Sequence, residues 1–195
     1  MRKMMIVGAL AVAALALGFG GCDEMKMDHA GMGGAAHANM WSGVNRAVAV
    51  IYPTKGNAAS GVIYFDTMGD HVHVHGEVKG LTPNSTHGFH IHEFGDSSSD
   101  DGTAAGGHYN PEGHPHAGPT AAMHHAGDLG NITADASGVA KVDEMITGIT
   151  VAGMMDPIIG RGVVVHAAPD DLKTQPTGAA GARIGVGVIG VAKNP

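Results

Sequence analysis

A single cysteine, Cys22, means that no disulfide can form within the chain. Positive charge is also scarce: 11 Lys and Arg stand against 18 Asp and Glu, for a formal net charge of −7. Binding nucleic acid requires a basic face that neutralises phosphates, so this balance argues against a nucleic-acid partner. Aromatic residues make up only 4% of the chain, and the apolar remainder is mostly Val, Ile and Ala. From Asn45 onward no stretch carries a convincing amphipathic-helix period. With 32 glycines as punctuation, this composition favours short strands joined by tight turns over a helical bundle.

The N-terminus, by contrast, has what a secretory leader needs. Arg2 and Lys3 precede the apolar run MMIVGALAVAALALGFGG, and Cys22 follows at once. The segment Phe19-Gly20-Gly21-Cys22 resembles a bacterial lipobox, with Phe19 where Leu is usual. The resemblance implies a lipoprotein-type signal peptide over residues 1–21, lipidation of Cys22, and an exported protein held to a membrane of the periplasm or cell envelope. Plain secretion and an uncleaved anchor are the alternatives, and all three export the domain. Residues 22–42 have no hydrophobic period and read as a flexible linker. The linker contains Met25, Met27, Met32 and Met40 with His29 and His37, donors that suit Cu(I). It is read either as a copper-gathering tether or as a solvated spacer.

Residues 43–195 form the domain. Strands are predicted at RAVAVIYP, GVIYFDT, DHVHVHGEV, HGFHIHE, GVAKVDE, GITVAG, GVVVHAA and ARIGVGVIGVA, separated by turn signals such as Asp135-Ala136-Ser137-Gly138. So many short strands imply a β-sandwich or barrel. Two long interruptions, residues 94–127 and 167–182, are rich in Gly, Pro, Ser, Asp and His. Loops of that length in a compact domain are usually functional or disordered, and the candidate ligands these carry favour the functional reading.

Histidines gather in and around those loops. His90 and His92 flank Ile91 on one strand, so their side chains share a face while Ile91 packs inward. His166 ends another strand and can come alongside. His108, His116, His125 and Asp128 lie in or just after the first loop. Three imidazoles and a carboxylate are a four-coordinate set suited to zinc, while imidazole alone suits zinc and copper.

Six blocks, HGFHIHEFGD, GGHYNP, HAGP, HAGDLGNITAD, IIGRGVVVHAAPDDL and GARIGVGVIGVA, resemble in content and order the signature blocks of the Cu/Zn superoxide dismutase family. The resemblance spans residues 43–193. It implies an all-β fold, an eight-stranded Greek-key β-barrel flattened into a sandwich, with two long functional loops. Residue by residue, it implies copper held by His90, His92, His108 and His166, and zinc held by His108, His116, His125 and Asp128. His108 bridges the two metals, and Arg183 with His108 is catalytic. Asp170 is an outer carboxylate linking His90 to His116, and His87 bonds nearby backbone without ligating. The implied reaction converts superoxide to oxygen and hydrogen peroxide.

The chain also departs from the family. The positions matching the customary disulfide are Gly102 and Val186, so zinc binding and packing must hold the first loop. With that tie missing, oligomeric state is left open, a homodimer being the candidate assembly. The second loop is short and contributes Lys173 but few other charges, which predicts weak electrostatic guidance of an anion. His71, His73 and His75 share one strand face, while His114 and His124 neighbour the ligand candidates. The HVHVH face is read as solvated, with an added metal site as the alternative. The competing functional readings are an exported copper/zinc-binding lipoprotein that buffers or delivers copper without turnover, and a purely structural β-domain.

Overall fold

The computed structural model describes residues 43–194; the leader, Cys22 and the whole of the linker lie outside the described residues. Eight strands follow in chain order: β1 (Arg46–Pro53), β2 (Ser60–Met68), β3 (His71–Lys79), β4 (Thr86–His92), β5 (Asp128–Thr133), β6 (Ala140–Ile146), β7 (Gly162–His166) and β8 (Arg183–Val191). All pairings are antiparallel, and the spatial order is β5-β4-β7-β8-β1-β2-β3-β6. The ends of this series, β5 and β6, approach at an Ala134–Ala140 bridge, so the sheet is nearly closed. Pairing β3 with β6 and β4 with β7 sends the chain across the barrel ends, as a Greek key requires. The predicted architecture is therefore present.

The barrel is filled by alternate residues. Ala47, Ala49 and Ile51 of β1, Ile63 and Phe65 of β2, Val72 and Val74 of β3, and Val163 and Val165 of β7 share one core. Ala47 lies opposite Phe65 in the ladder, so a small side chain makes room for a large one. Each such large apolar side chain contributes about 1.5–3 kcal/mol by leaving water.

Two strand assignments need correction. GITVAG does not form a strand; Thr150 makes only an isolated bridge with Pro157. Gly148 turns the chain at φ 79, and Thr150 Oγ1 donates to Met155 O and accepts from Gly153 N–H, closing a turn in place of a ladder. Ile149 and Val151 are still buried in the core, which explains their apolar pattern. Conversely, DLGNIT, absent from the predicted strands, forms β5. Gly130 at φ 82 interrupts its apolar run, and Asp128 is a site residue.

Strand β4 positions the site because both of its faces are buried. Phe89 and Ile91 point into the barrel, while His90 and His92 point outward beneath the loops of residues 93–127 and 167–182. Under the first loop Ala105, Val164 and Val186 form a second, small apolar cluster. Gly102 adopts φ 76, a left-handed conformation natural to glycine, and a Cβ placed on it would sit 2.7 Å from Val186 Cγ2. The two positions without cysteine are thus in contact, held by apolar packing.

Candidate metal centre

His90 and His92 leave β4 on one face, and His166 closes the neighbouring β7. The ladders shift register between Gly88 and His90 and between Val165 and His166, local irregularities of the kind that re-aim side chains beside sites. A backbone bridge of His108 to His92 brings the fourth imidazole in from the loop. The result is two buried groups, His90/His92/His108/His166 and His108/His116/His125/Asp128. Within each group one potential ligand atom per residue lies within 4.8 Å of the others. His108 belongs to both.

Hydrogen bonds fix which ring nitrogen faces inward. A carboxylate or carbonyl oxygen can only accept, so the nitrogen bonded to it carries the proton. His90 Nε2–H donates to Asp170 Oδ2 (2.8 Å), His116 Nε2–H to Asp170 Oδ1 (2.9 Å), His92 Nδ1–H to Gly106 O (2.9 Å) and His166 Nδ1–H to Gly181 O (3.1 Å). This leaves His90 Nδ1, His92 Nε2 and His166 Nε2 as free lone pairs, with the last two 3.3 Å apart. Around Asp128 Oδ1 stand the Nδ1 atoms of His108, His116 and His125, at 2.8, 2.9 and 3.3 Å. Asp128 Oδ2 accepts the backbone N–H groups of Ala117 and His125.

Two buried ring nitrogens, His90 Nδ1 and His108 Nε2, have no partner at all. Such orphans are rare, and each costs about 1–3 kcal/mol. Both belong to the first group, and a metal ion is the partner that would satisfy both. The residues present therefore fit two metals sharing one imidazole.

Charge follows burial. Burial pushes His90 down to about 4 and His166 down to about 3, and holds His92 well below the usual imidazole range. Burial also lowers His125; burial acts downward on His116 too, but its hydrogen bonds to Asp170 and Asp128 and the charges of those carboxylates together outweigh it and raise His116. Burial alone would raise Asp128, but the His108 hydrogen bond and the backbone N–H groups hold it far below the usual carboxylate range. These directions predict the pH dependence of the metal-free protein. Unfolded imidazoles take up protons near pH 6.5, while folded His90 and His166 stay neutral until about pH 4 and 3. Between those limits the unfolded state binds more protons, so stability is fully present above about pH 6.5 and lost on acidification. His116 works the other way, as one group against four. Thermal melting of apo protein should therefore show a midpoint falling steadily from pH 6.5 to 4; a midpoint constant over that range would contradict the burial of these rings.

Arg183 opens β8 beside the first group. Its guanidinium donates to Gly102 O and Gly106 O, and Gly106 O also accepts from His92. Its charge contributes to lowering His92 and His166. His87 is no part of either group: Nδ1–H donates to His166 O (2.7 Å), and Nε2 lies 2.6 Å from Ser85 Oγ, whose own proton goes to Thr82 O. His71, His73 and His75 pair with different carboxylates, Asp70, Asp143 and Asp66, and do not converge on one point. His114 and His124 likewise stay outside both groups, with Nδ1 of each turned to a backbone carbonyl.

Residue patterns alone missed several braces. The Gln175 side-chain amide spans His116, accepting its N–H (2.8 Å) and donating to its carbonyl (2.7 Å). Asn131 does the same for Asp170, at 2.8 and 2.9 Å. Nothing in the local sequence marks either amide; only the fold brings them to the ligand-bearing backbone.

A nearly closed β-barrel with two donor groups sharing an imidazole defines a protein class built for a paired metal centre. Residues 59–189 match the family described as copper/zinc superoxide dismutase (SODC), and the chain belongs to that family. An extracellular superoxide dismutase [Cu-Zn] of Onchocerca volvulus is 44% identical over 163 residues, covering 77% of this chain and 78% of the relative. One of Brugia pahangi is 40% identical over 154 residues, covering 74% and 75%. Among solved structures, the clock protein EA4 superposes with a TM-score of 0.69 at 37% identity, over 76% of this chain and 95% of that one.

Proposed function

We propose that this chain dismutes superoxide with copper held by His90, His92, His108 and His166 and zinc held by His108, His116, His125 and Asp128. The observation that carries the assignment is His108, with one ring nitrogen beside Asp128 and the other buried without a partner. When bound, copper supplies the electron transfer, alternating between two oxidation states as one superoxide is oxidised to oxygen and a second is reduced to peroxide. Asp128 keeps a full negative charge among three imidazoles and completes the non-redox site. Asp170 fixes the tautomers of His90 and His116 so that each presents Nδ1. His108 Nε2 is the atom placed to hold a proton and release it to the departing peroxide. Arg183 offers a guanidinium whose position two carbonyls define, and so favours an anion over neutral molecules.

The test is superoxide consumption by copper- and zinc-loaded protein against a zinc-only sample, in which activity should vanish. Arg183→Ala should keep both metals and lose roughly 10- to 100-fold in rate, the scale of a lost electrostatic guide. An unchanged rate constant would remove Arg183 from the mechanism.

Export to the periplasm or cell envelope, with Cys22 lipidated, is supported by Arg2, Lys3, the apolar run and the segment ending in Cys22. The extracellular naming of the two relatives points the same way. Mass spectrometry of the membrane fraction should find a modified Cys22 at the N-terminus, and an intact Met1 would refute cleavage. A homodimer through the outer face of β1 and β8 is supported by exposed Val50, Tyr52 and Val188. Sedimentation should then show a dimer that Val188→Glu converts to monomer; a monomeric wild-type protein would exclude it.

A further inference from the structure

Among the described residues, almost every buried polar side chain is a donor in the two groups, the bridging Asp170, or His87 bracing a donor's carbonyl. Thr54 is the exception. It follows β1 and is 8% exposed, with no place in either group. Its hydroxyl donates to Arg183 O at 2.8 Å, and its backbone N–H donates to Ile184 O at 3.2 Å. Asn57 Nδ2–H donates to the same hydroxyl oxygen at 2.8 Å, which directs the Thr54 proton toward Arg183. The Thr54 methyl lies 3.3 Å from where a Cβ on Gly102 would stand.

Thr54 therefore touches both structures that locate the Arg183 guanidinium. The arginine backbone belongs to β8, whereas its acceptors, Gly102 O and Gly106 O, belong to the first long loop. Their separation must be constant if the guanidinium is to stand at one place beside His92 and His166. No covalent tie joins them, since Gly102 and Val186 hold no cysteine. The apolar contact between those two residues is non-directional and does not resist sliding. The β1–β2 turn adds direction on both sides. Thr54 holds Arg183, and Lys55 holds the loop through its backbone N–H to Asp100 O (2.8 Å) and its ammonium to Asp100 Oδ2 (2.6 Å). The ion pair is exposed and adds little, so the buried hydroxyl is the decisive contact.

We propose that Thr54 is a positioning residue for Arg183, and that the β1–β2 turn does in this chain what a covalent tie between loop and β8 would do. The inference rests on Arg183 as the anion-docking residue. It predicts that removing the hydroxyl weakens the binding of a small anion beside the first group without removing either metal.

The experiment uses copper- and zinc-loaded protein and azide as the probe, its affinity read from the copper(II) absorption spectrum, with melting temperature measured alongside. Thr54→Val should weaken azide binding roughly three- to tenfold, the scale of one lost oriented hydrogen bond. Thr54→Ser should restore it. Asn57→Ala, at an exposed position, should give a smaller loss and serves if Thr54→Val folds poorly. Combining Thr54→Val with Arg183→Ala should cost little more than Arg183→Ala alone, because both act through one group. If Arg183→Ala weakens azide and Thr54→Val and Asn57→Ala do not, whatever their melting temperatures, Thr54 has no positioning role and the reading of Arg183 stands. If Arg183→Ala itself leaves azide affinity unchanged, both fall.

Discussion

Asp170→Ala should weaken both metal sites at once, by roughly 10- to 100-fold each, the usual effect of losing an outer hydrogen-bond partner. One carboxylate holds a ligand of each group: Oδ2 accepts from His90 and Oδ1 from His116, with the Asp170 side chain fully buried. Truncation leaves two buried N–H groups unpaired, at a cost of about 1–3 kcal/mol each. It also frees each ring to exchange tautomers, so Nδ1 is no longer reserved for a metal. Gly178 shows how tightly the carboxylate is set, because a Cβ there would overlap Asp170 Oδ1. Asp170→Asn should be intermediate: the amide oxygen can accept from one ring, while its NH2 cannot accept from the other. Separate titrations of the apo variant with copper and with zinc test this. A loss confined to one metal would show that Asp170 serves as a brace for that site alone.

Removing both metals should lower the melting temperature of the wild-type protein by at least about 15 °C. Each site occupied at about a thousand times its dissociation constant contributes about 4 kcal/mol. A domain of this size shifts by about 2–4 °C per kcal/mol. The physical cause lies in the two loops, which the metals join to the barrel. Without ions, buried polar rings and one acid crowd the same space, and two ring nitrogens have no partner. With no cysteine in the domain to cross-link the first loop, the small cluster of Ala105, Val164 and Val186 and a few hydrogen bonds from Lys55 and Arg183 are left to hold it. Calorimetry before and after chelation, at fixed pH, gives the answer. Midpoints within a few degrees of each other would mean that packing alone orders the loops.

Much of this was legible in the chain itself. RAVAVIYP became β1 residue for residue, and Ile91 faces the core while His90 and His92 face away from it. The second predicted loop, 167–182, lies between the end of β7 and the start of β8. GITVAG was misread as a strand and DLGNIT was passed over for one reason. Apolar periodicity reports burial, and Ile149 and Val151 are buried without a ladder, whereas β5 forms a ladder across a glycine and an asparagine.

What the sequence determined by itself were the local quantities: strand period, residue chemistry and ligand spacing, each set within a few neighbouring positions. Those sufficed for a β-sandwich or barrel with seven candidate ligand side chains, His90, His92, His108, His116, His125, His166 and Asp128, and for the absence of any disulfide; the resemblance to the family narrowed the fold to a barrel. The tertiary structure alone decided which ring nitrogen each histidine turns inward, that Gly102 rests on Val186, and which residues brace the site. Those braces join positions far apart in the chain: Asn131 and Asp170 are 39 residues apart, Gln175 and His116 are 59 apart, and Thr54 and Arg183 are 129 apart. A hydrogen bond needs its two atoms within about 3 Å. No local pattern encodes that distance between residues so remote, and only the closed barrel with its folded-over loops brings them together.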